Sequence, residues 1–373
     1  MKNAGIVRPF LERDIPQVTD LHRRVFRVAA APSAQLERAY HTYLSGFASD
    51  NSRAHRDLHS LVYEDAGGAI VGFLSVRSQP MWMTERPVLA AVSSQFIVDE
   101  GHRSTLAGLH LLKAFLSGPQ ELSVVDEANE HSRILWHGFG GSTAFLQSIC
   151  WARILLPAQF LLSRLRMGPV TAIVKGAATP LGRVADAILG AIHGNPFTPV
   201  RPVGAVEDPP LDVLRDCMAD ISRRWSLRPA YDDCSLGQLM STLEARQEPG
   251  PLRKGIVRDS RNRITGWYIY HAKRGGLGEV LQIGAEGHSH GQVLDHLFFD
   301  ARRQGVAALS GRLQPDFMDE FRKKHCLLHH RGYWTLIHSR NPAALEAIYR
   351  GDAFLTRLEG EWSMRFEMPR RRV

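Results

Sequence analysis

Apolar positions along the first part of the chain recur with two distinct periods. Ile6-Val7-Arg8-Pro9-Phe10 forms a short apolar run, and beyond it Ile15, Val18, Leu21 and Val25 step by three and four residues. That pattern predicts a strand leading into an amphipathic helix. Residues 60–78 hold two β-branched and aromatic runs on either side of Gly67-Gly68, a hairpin pattern. Val88–Val98 reads as a further strand. Thr105–Leu116 places Leu106, Leu109, Leu112 and Phe115 or Leu116 on one helical face, and Glu121–Val125 returns to strand character. Residues 129–137 suit a short helix and 143–156 a closing apolar strand or strand pair, so the predicted order is β-α-β-β-β-α-β-α-β.

Residues 157–196 break this rhythm. Gly168-Pro169, Thr179-Pro180 and Asn195-Pro196 punctuate the region, while Val184, Ile188 and Ile192 keep helical spacing behind a Thr179 cap with Pro180 at the first helical position. The same grammar then runs a second time. A strand is predicted at Pro199–Val203, helices at Leu211–Trp225 and Leu236–Arg246, and a hairpin joins Gly255–Arg258 to Ile264–Ala272. Leu277–Ile283, a helix over 290–304, Ala307–Leu313, a helix over 315–325, Tyr333–Ile337, a helix over 342–350 and closing strands at Leu355–Leu358 and Trp362–Phe366 complete it. AIVGFLSVR at 69–77 and RITGWYIYH at 263–271 share a Gly followed by an aromatic-rich strand. The expectation is a tandem of two similarly built α/β domains, 1–156 and 197–373, joined by a connector over 157–196.

Composition adds limits. Apolar residues make up 44% and charged residues 23%, values of an ordinary globular chain that exclude fibrous and disordered classes. The net charge of +8 rests on 46 Lys and Arg, of which only seven are Lys. Cys150, Cys217, Cys234 and Cys326 lie far apart with no CxxC pair, which supports neither a disulfide framework nor a zinc site and points to a reducing compartment, the bacterial cytoplasm. The charged N-terminus MKNAGIVRPFLERD lacks a signal-peptide core, and no apolar stretch reaches about 18 residues, so neither secretion nor a membrane span is expected.

The most informative stretch runs from Phe96 to Lys113. A strand ends, a polar loop containing Arg103 turns, and a helix begins without proline, leaving several N–H groups at its start without intrahelical partners. Those donors and the helix dipole suit a phosphate, Arg103 adds a cation, and Gly108 permits close approach. This segment resembles the acyl-CoA-binding stretch of the GNAT superfamily of N-acyltransferases, whose pattern is Arg/Gln-x-x-Gly-x-Gly/Ala. Arg103 matches its first position and Gly108 its last, while Leu106 replaces a usual Gly and Glu100 a frequent Pro. The resemblance extends over the element order of 5–156 and more faintly over 197–367. It implies two GNAT-like copies, each a mixed, mainly antiparallel sheet flanked by helices. It also implies acetyl-CoA as acyl donor, held by Phe96, Ile97 and Val98 along the strand, by Arg103, Ser104, Thr105, Leu106, Ala107 and Gly108 at the helix start, and by Asn129.

Transfer to an amine requires a base to take the ammonium proton. Asp126 at the end of strand 121–125 is the candidate, with its neighbour Glu127, and Ser94 is a candidate water-holder. The family's Tyr, which reprotonates the leaving thiolate ahead of a glycine turn, has no counterpart: Trp136 and Ile134 stand at that distance from Gly140-Gly141 and Gly138-Phe139. His288, His290, His329 and His330 lack the companions of a metal site, and no metal is expected. The second copy carries Glu286 where an anion would approach and no Arg beside its helix start, so it is expected to shape the acceptor groove. Glu359 and Glu361 are candidates to face a cationic substrate. Between His131 and Val206 seven cations face one acid, Asp186. A peripheral contact of residues 153–201 with an anionic surface follows from that, and no nucleic-acid motif accompanies it. The acceptor is a small-molecule or protein amine. Other readings are an aminoacyl-tRNA-dependent transferase of related fold and a non-catalytic acyl-CoA-binding protein.

Overall fold

The computed structural model describes residues 5–28, 33–50, 57–102, 106–164, 169–192, 194–246 and 248–366. In chain order the first elements are β1 (Ile6–Pro9), α1 (Ile15–Val25), α2 (Ala34–Asp50), β2 (Leu61–Glu64), β3 (Ile70–Met83), β4 (Arg86–Val98), α3 (Ala107–Leu116), β5 (Leu122–Ala128), α4 (Glu130–Gly138) and β6 (Ser142–Thr143). There follow α5 (Phe145–Ser148), β7 (Ile149–Ile154), α6 (Pro157–Arg164), α7 (Pro169–Ala191), β8 (Ala205–Glu207), α8 (Leu211–Ser222), β9 (Leu227–Pro229), α9 (Asp233–Glu244), β10 (Leu252–Arg258), β11 (Ile264–His271) and β12 (Leu277–Ala285). The last are α10 (His290–Arg303), β13 (Ala308–Arg312), α11 (Met318–Lys323), β14 (Leu327–His330), β15 (Trp334–Ser339) and α12 (Pro342–Tyr349), with a 3-10 turn over Glu361–Met364.

Two compact units result, but not as consecutive blocks. One comprises Met1–Phe145, Gly332–Asp352 and Glu359–Val373, the other Leu146–Arg331 and Ala353–Leu358. The first sheet has the order β1-β2-β3-β4-β5-β15-β6 and the second β14-β7-β13-β12-β11-β10-β8. The expected boundary at 156 is therefore corrected to 145/146. The reason is hydrogen bonding: β7 pairs with β13 and β14, whereas β15 pairs with β5 and β6. Each sheet thus inserts between its last two strands a segment that a linear tandem would have given to the other.

In the first unit the period-2 alternation of β3 and β4 serves two cores. Phe73, Val92 and Ile97 join Val18 and Leu21 of α1 and Leu36, Tyr40 and Leu44 of α2 on one face. Leu74, Val76 and Ala91 join Leu111, Leu112 and Phe115 of α3 and Trp136 of α4 on the other. At the start of α1, Arg8 grips Asp14 at 2.6 and 3.0 Å. Burial raises the Asp14 carboxyl, but these bonds and the Leu11 N–H outweigh it and hold it below the usual range. The second unit packs Tyr268, Tyr270, Leu294, Leu297, Phe298 and Phe321 around Trp151.

Other expectations need correction. Helix α7 begins at Pro169 and runs through Pro180, which removes one hydrogen bond without ending it. Pro157–Arg164 and Pro169–Ala191 form the paired helices α6 and α7 of the second unit. The strand expected at 199–203 lies at Ala205–Glu207, and the one expected at Trp362–Phe366 is the 3-10 turn. Leu355–Leu358 forms no strand.

Gly284 of β12 lies against the Trp267 ring of β11, with an added methyl 2.1 Å from the nearest ring carbon. Gly284→Ala is expected to destabilise the protein by roughly 1–3 kcal/mol through overpacking, read as a lower urea midpoint at unchanged slope.

Candidate active site

Strands β4 and β5 run parallel, and their pairing is brief: Ala90 with Leu122, Ala91 with Ser123, Val92 with Val124. Beyond these residues the strands separate, so that Ser93–Val98 and Val125–Ala128 border an opening in the sheet. A bulge assists. Phe73 of β3 faces Ile97 while Ser75 faces Ser94, so β4 carries one extra residue, and Gln95 takes φ +49°. Helix α3 starts just past the outer end of β4. Its N-cap residue, Leu106, makes no side-chain cap bond and is exposed, and the first turn contains no acid.

The residues expected to hold the donor fall as follows. Ile97 is buried in the core shared with α1 and α2, and Phe96 and Val98 pack on the α3 side. A methyl added at Gly108 would stand 3.5 Å from Phe96 and 3.6 Å from Val98, an ordinary contact, so packing alone does not demand glycine there. Ala107, the first residue of α3, is buried. Asn129 caps α4, its carboxamide oxygen accepting from Ser132 N at 2.9 Å. Arg103, Ser104 and Thr105 lie outside the described residues. Trp136 is buried and donates to Ile337 O at 3.0 Å.

The candidate catalytic residues are both buried. The Ser94 hydroxyl lies 2.7 Å from that of Ser75, which also donates to Ser94 O at 2.8 Å. Asp126 accepts from Glu361 N at 2.7 Å, and its other oxygen stands 2.0 Å from where a methyl on Gly360 would sit. It anchors the closing segment 359–364, which packs against both β4 and β5. Glu361 in turn accepts from Glu127 N at 3.0 Å, and Arg77 of β3 donates to Glu359 O at 2.6 Å and Ser363 Oγ at 3.0 Å. Glu127 pairs with Arg365, whose Nε lies 2.9 Å away. Burial pushes the Glu361 carboxyl well above the usual range, and the charges of Asp126 and Glu127 add to it.

Sequence reasoning named Glu361 only as a possible neighbour of a cationic substrate, and it missed α2 and His22. The spacing of Leu36, Tyr40 and Leu44 carried the signal for that helix. His22 is buried beside Phe26 and Phe366, with Nδ1 3.0 Å from the Tyr40 hydroxyl. Burial lowers its pKa to about 4, against a smaller opposing effect from Gln95, and burial raises Tyr40 to about 12.

The second sheet opens similarly. β12 and β13 pair in parallel only at Leu277–Ala308, Gly278–Leu309 and Glu279–Ser310. Here the chain itself fills the gap. Arg357 N donates to Leu281 O at 3.1 Å, and its guanidinium reaches Ser310 O at 3.2 Å and Cys150 Sγ at 3.3 Å. At the start of α10 the Glu320 carboxylate lies within 2.7 Å of a methyl placed on Gly291. Among the described residues no group of three or more His, Cys, Asp or Glu is arranged to hold a metal.

A mixed sheet that parts between two parallel strands, with a helix starting behind the gap, defines the GNAT fold, present here twice. The chain covers 92% of its length on a GCN5-related N-acetyltransferase from Anabaena variabilis, spanning 75% of that chain at 12% identity and a TM-score of 0.58. For a probable N-acyltransferase from Enterococcus faecalis the values are 93%, 74%, 10% and 0.57. For Saccharomyces cerevisiae N-myristoyltransferase with bound myristoyl-CoA they are 90%, 78%, 8% and 0.51. No family model and no curated protein sequence matches the chain.

The His22 ring gives a pH test. Its folded pKa lies below its unfolded value of about 6.5, so its contribution is complete above that pH and is lost as pH falls toward 4. His22→Gln is expected to flatten the acid limb of the urea-midpoint profile over this window, by on the order of 2–3 kcal/mol. An unchanged slope would contradict the assignment.

Proposed function

We propose that the first unit is an N-acetyltransferase that moves an acetyl group from acetyl-CoA to an amine. The observation that carries this reading is the β4–β5 opening, flanked by the start of α3 and by the carboxyl groups of Asp126, Glu127 and Glu361. The edge of β4 beyond Val92, which β5 no longer pairs, suits the amide-rich arm of an acyl-CoA, and the α3 start suits its diphosphate. The acyl-CoA supplies an activated thioester carbonyl. The amine attacks it directly, the C–N bond forming as the C–S bond breaks and the thiolate departs.

The amine must first lose a proton, and Glu361 is the residue we assign to take it. A carboxyl raised by burial is a stronger base than an exposed one. Asp126, engaged by Glu361 N, positions that segment rather than receiving the proton. Arg103 supplies the cation at the diphosphate. The second unit is assigned no donor, because Arg357 occupies its opening and Glu320 stands at its helix start.

Calorimetric titration with acetyl-CoA and longer acyl-CoAs, combined with thiol release across a panel of primary amines, tests the proposal. Binding with amine-dependent thiol release is expected. Arg103→Glu is expected to raise Kd at least roughly tenfold, and Glu361→Gln to lower kcat/KM at neutral pH roughly a hundredfold while leaving Kd for the donor unchanged. Absence of binding by any acyl-CoA would refute the reading, and binding without thiol release would leave a non-catalytic acyl-CoA-binding protein.

A further inference from the structure

Helix α7 is built inside out. Its inward positions are small or polar and recur every fourth residue, hence on one face. A methyl on Gly182 would meet Leu162 of α6 at 2.8 Å, and one on Gly190 would meet the Arg302 guanidinium at 2.6 Å. Between them Asp186 is 2% exposed; it accepts from Ala158 N at 2.8 Å, Gln159 N at 3.1 Å and the Gln159 side chain at 3.1 Å, closing the start of α6. The large apolar residues face outward: Leu181 is 72% exposed, Val184 58%, Ile188 63% and Ile192, just past the helix, 54%. Ala185, Ala187 and Ala191 are exposed among them, and so is Leu161 of α6. A surface helix of a globular protein has the opposite arrangement, and a contiguous apolar face of this kind marks an interaction site.

Charge selects the partner. Asp186, the one acid from His131 to Val206, is buried, whereas Arg183 on the flank of the apolar row is exposed, as is Arg164, which lies over the Phe160 ring at 5.0 Å. Arg153, expected on the same surface, is instead buried, donates to Pro196 O and lies over Phe298. No helix among the described residues is long and apolar enough to cross a membrane.

We infer that the outer face of α7 docks on an anionic lipid bilayer, lying in its interface with Leu181, Val184, Ile188 and Ile192 toward the acyl chains and Arg164 and Arg183 at the phosphates. A second copy of the chain fits less well. In a two-fold pairing of this face neither copy offers an exposed acid on α6 or the described part of α7 to meet Arg164 or Arg183 of the other. The inference is independent of acyl transfer, since it needs neither donor nor acceptor.

Flotation of the full chain with phosphatidylcholine vesicles, with and without phosphatidylglycerol, tests it. Binding to the phosphatidylglycerol vesicles at low salt and release as salt rises are expected. Ile188→Glu should weaken binding at least roughly tenfold, and Arg164→Ser and Arg183→Ser roughly fivefold each. All three positions are exposed, so these variants should keep the wild-type circular dichroism and melting curve. Absence of flotation with phosphatidylglycerol vesicles would overturn the inference, as would flotation unaffected by both Ile188→Glu and Val184→Glu. A dimer that Ile188→Glu splits, without any vesicle binding, would assign the face to a second copy instead.

Discussion

Two parallel strands that hold together for three residue pairs and then part set the terms for the rest of the first unit. Past Val92 and Val124 every second residue turns its main-chain donor and acceptor toward a neighbour that the other strand no longer provides, and such groups are costly to leave unpaired away from water. The closing segment answers part of the demand: the Glu361 carboxylate receives the Glu127 N–H, and Asp126 receives the Glu361 N–H. This reciprocal pair ties the two stretches together and concentrates acid beside the opening. Arg77 fixes the same segment from β3 through Glu359 O and Ser363.

The second sheet meets the same demand with a different charge. There a buried guanidinium, Arg357, spans the parted strands and satisfies carbonyl oxygen and thiol sulfur at once. One architecture therefore produces two chemically unlike openings, one bordered by carboxylates and one closed by a cation. Fold alone does not assign chemistry; here the contrast between Glu361 and Arg357 distinguishes the two.

Much of this was legible in the sequence where periodicity was strong. The α1 stripe, the β3 hairpin and the α3 face were each readable because apolar residues alternate or step by three and four, and the repeated order around Gly72 and Gly266 revealed the tandem. Strand partnership was not readable: ICWARI and WTLIHS each satisfy a strand pattern, and nothing in either segment states which sheet it enters. The bulge at Gln95 was also hidden, because a positive φ at a glutamine leaves no compositional mark. Asp126 was found as an acid at a strand end, yet its engagement by Glu361, 235 residues away, depends on a chain path that spacing does not encode. The outward row on α7 was visible as Val184, Ile188 and Ile192, but the sequence pattern alone assigns such a row to the interior.

The threading of the chain also constrains how the protein is made. The first sheet lacks its sixth strand in order until Trp334–Ser339 has left the ribosome, and until then β5 presents an open edge, the kind of template that pairs with foreign strands. The whole of Leu146–Arg331 is synthesised in that interval and can collapse into its own core first. The chain order thus lets the middle of the sequence gather its core before the first sheet receives Trp334–Ser339 from beyond it.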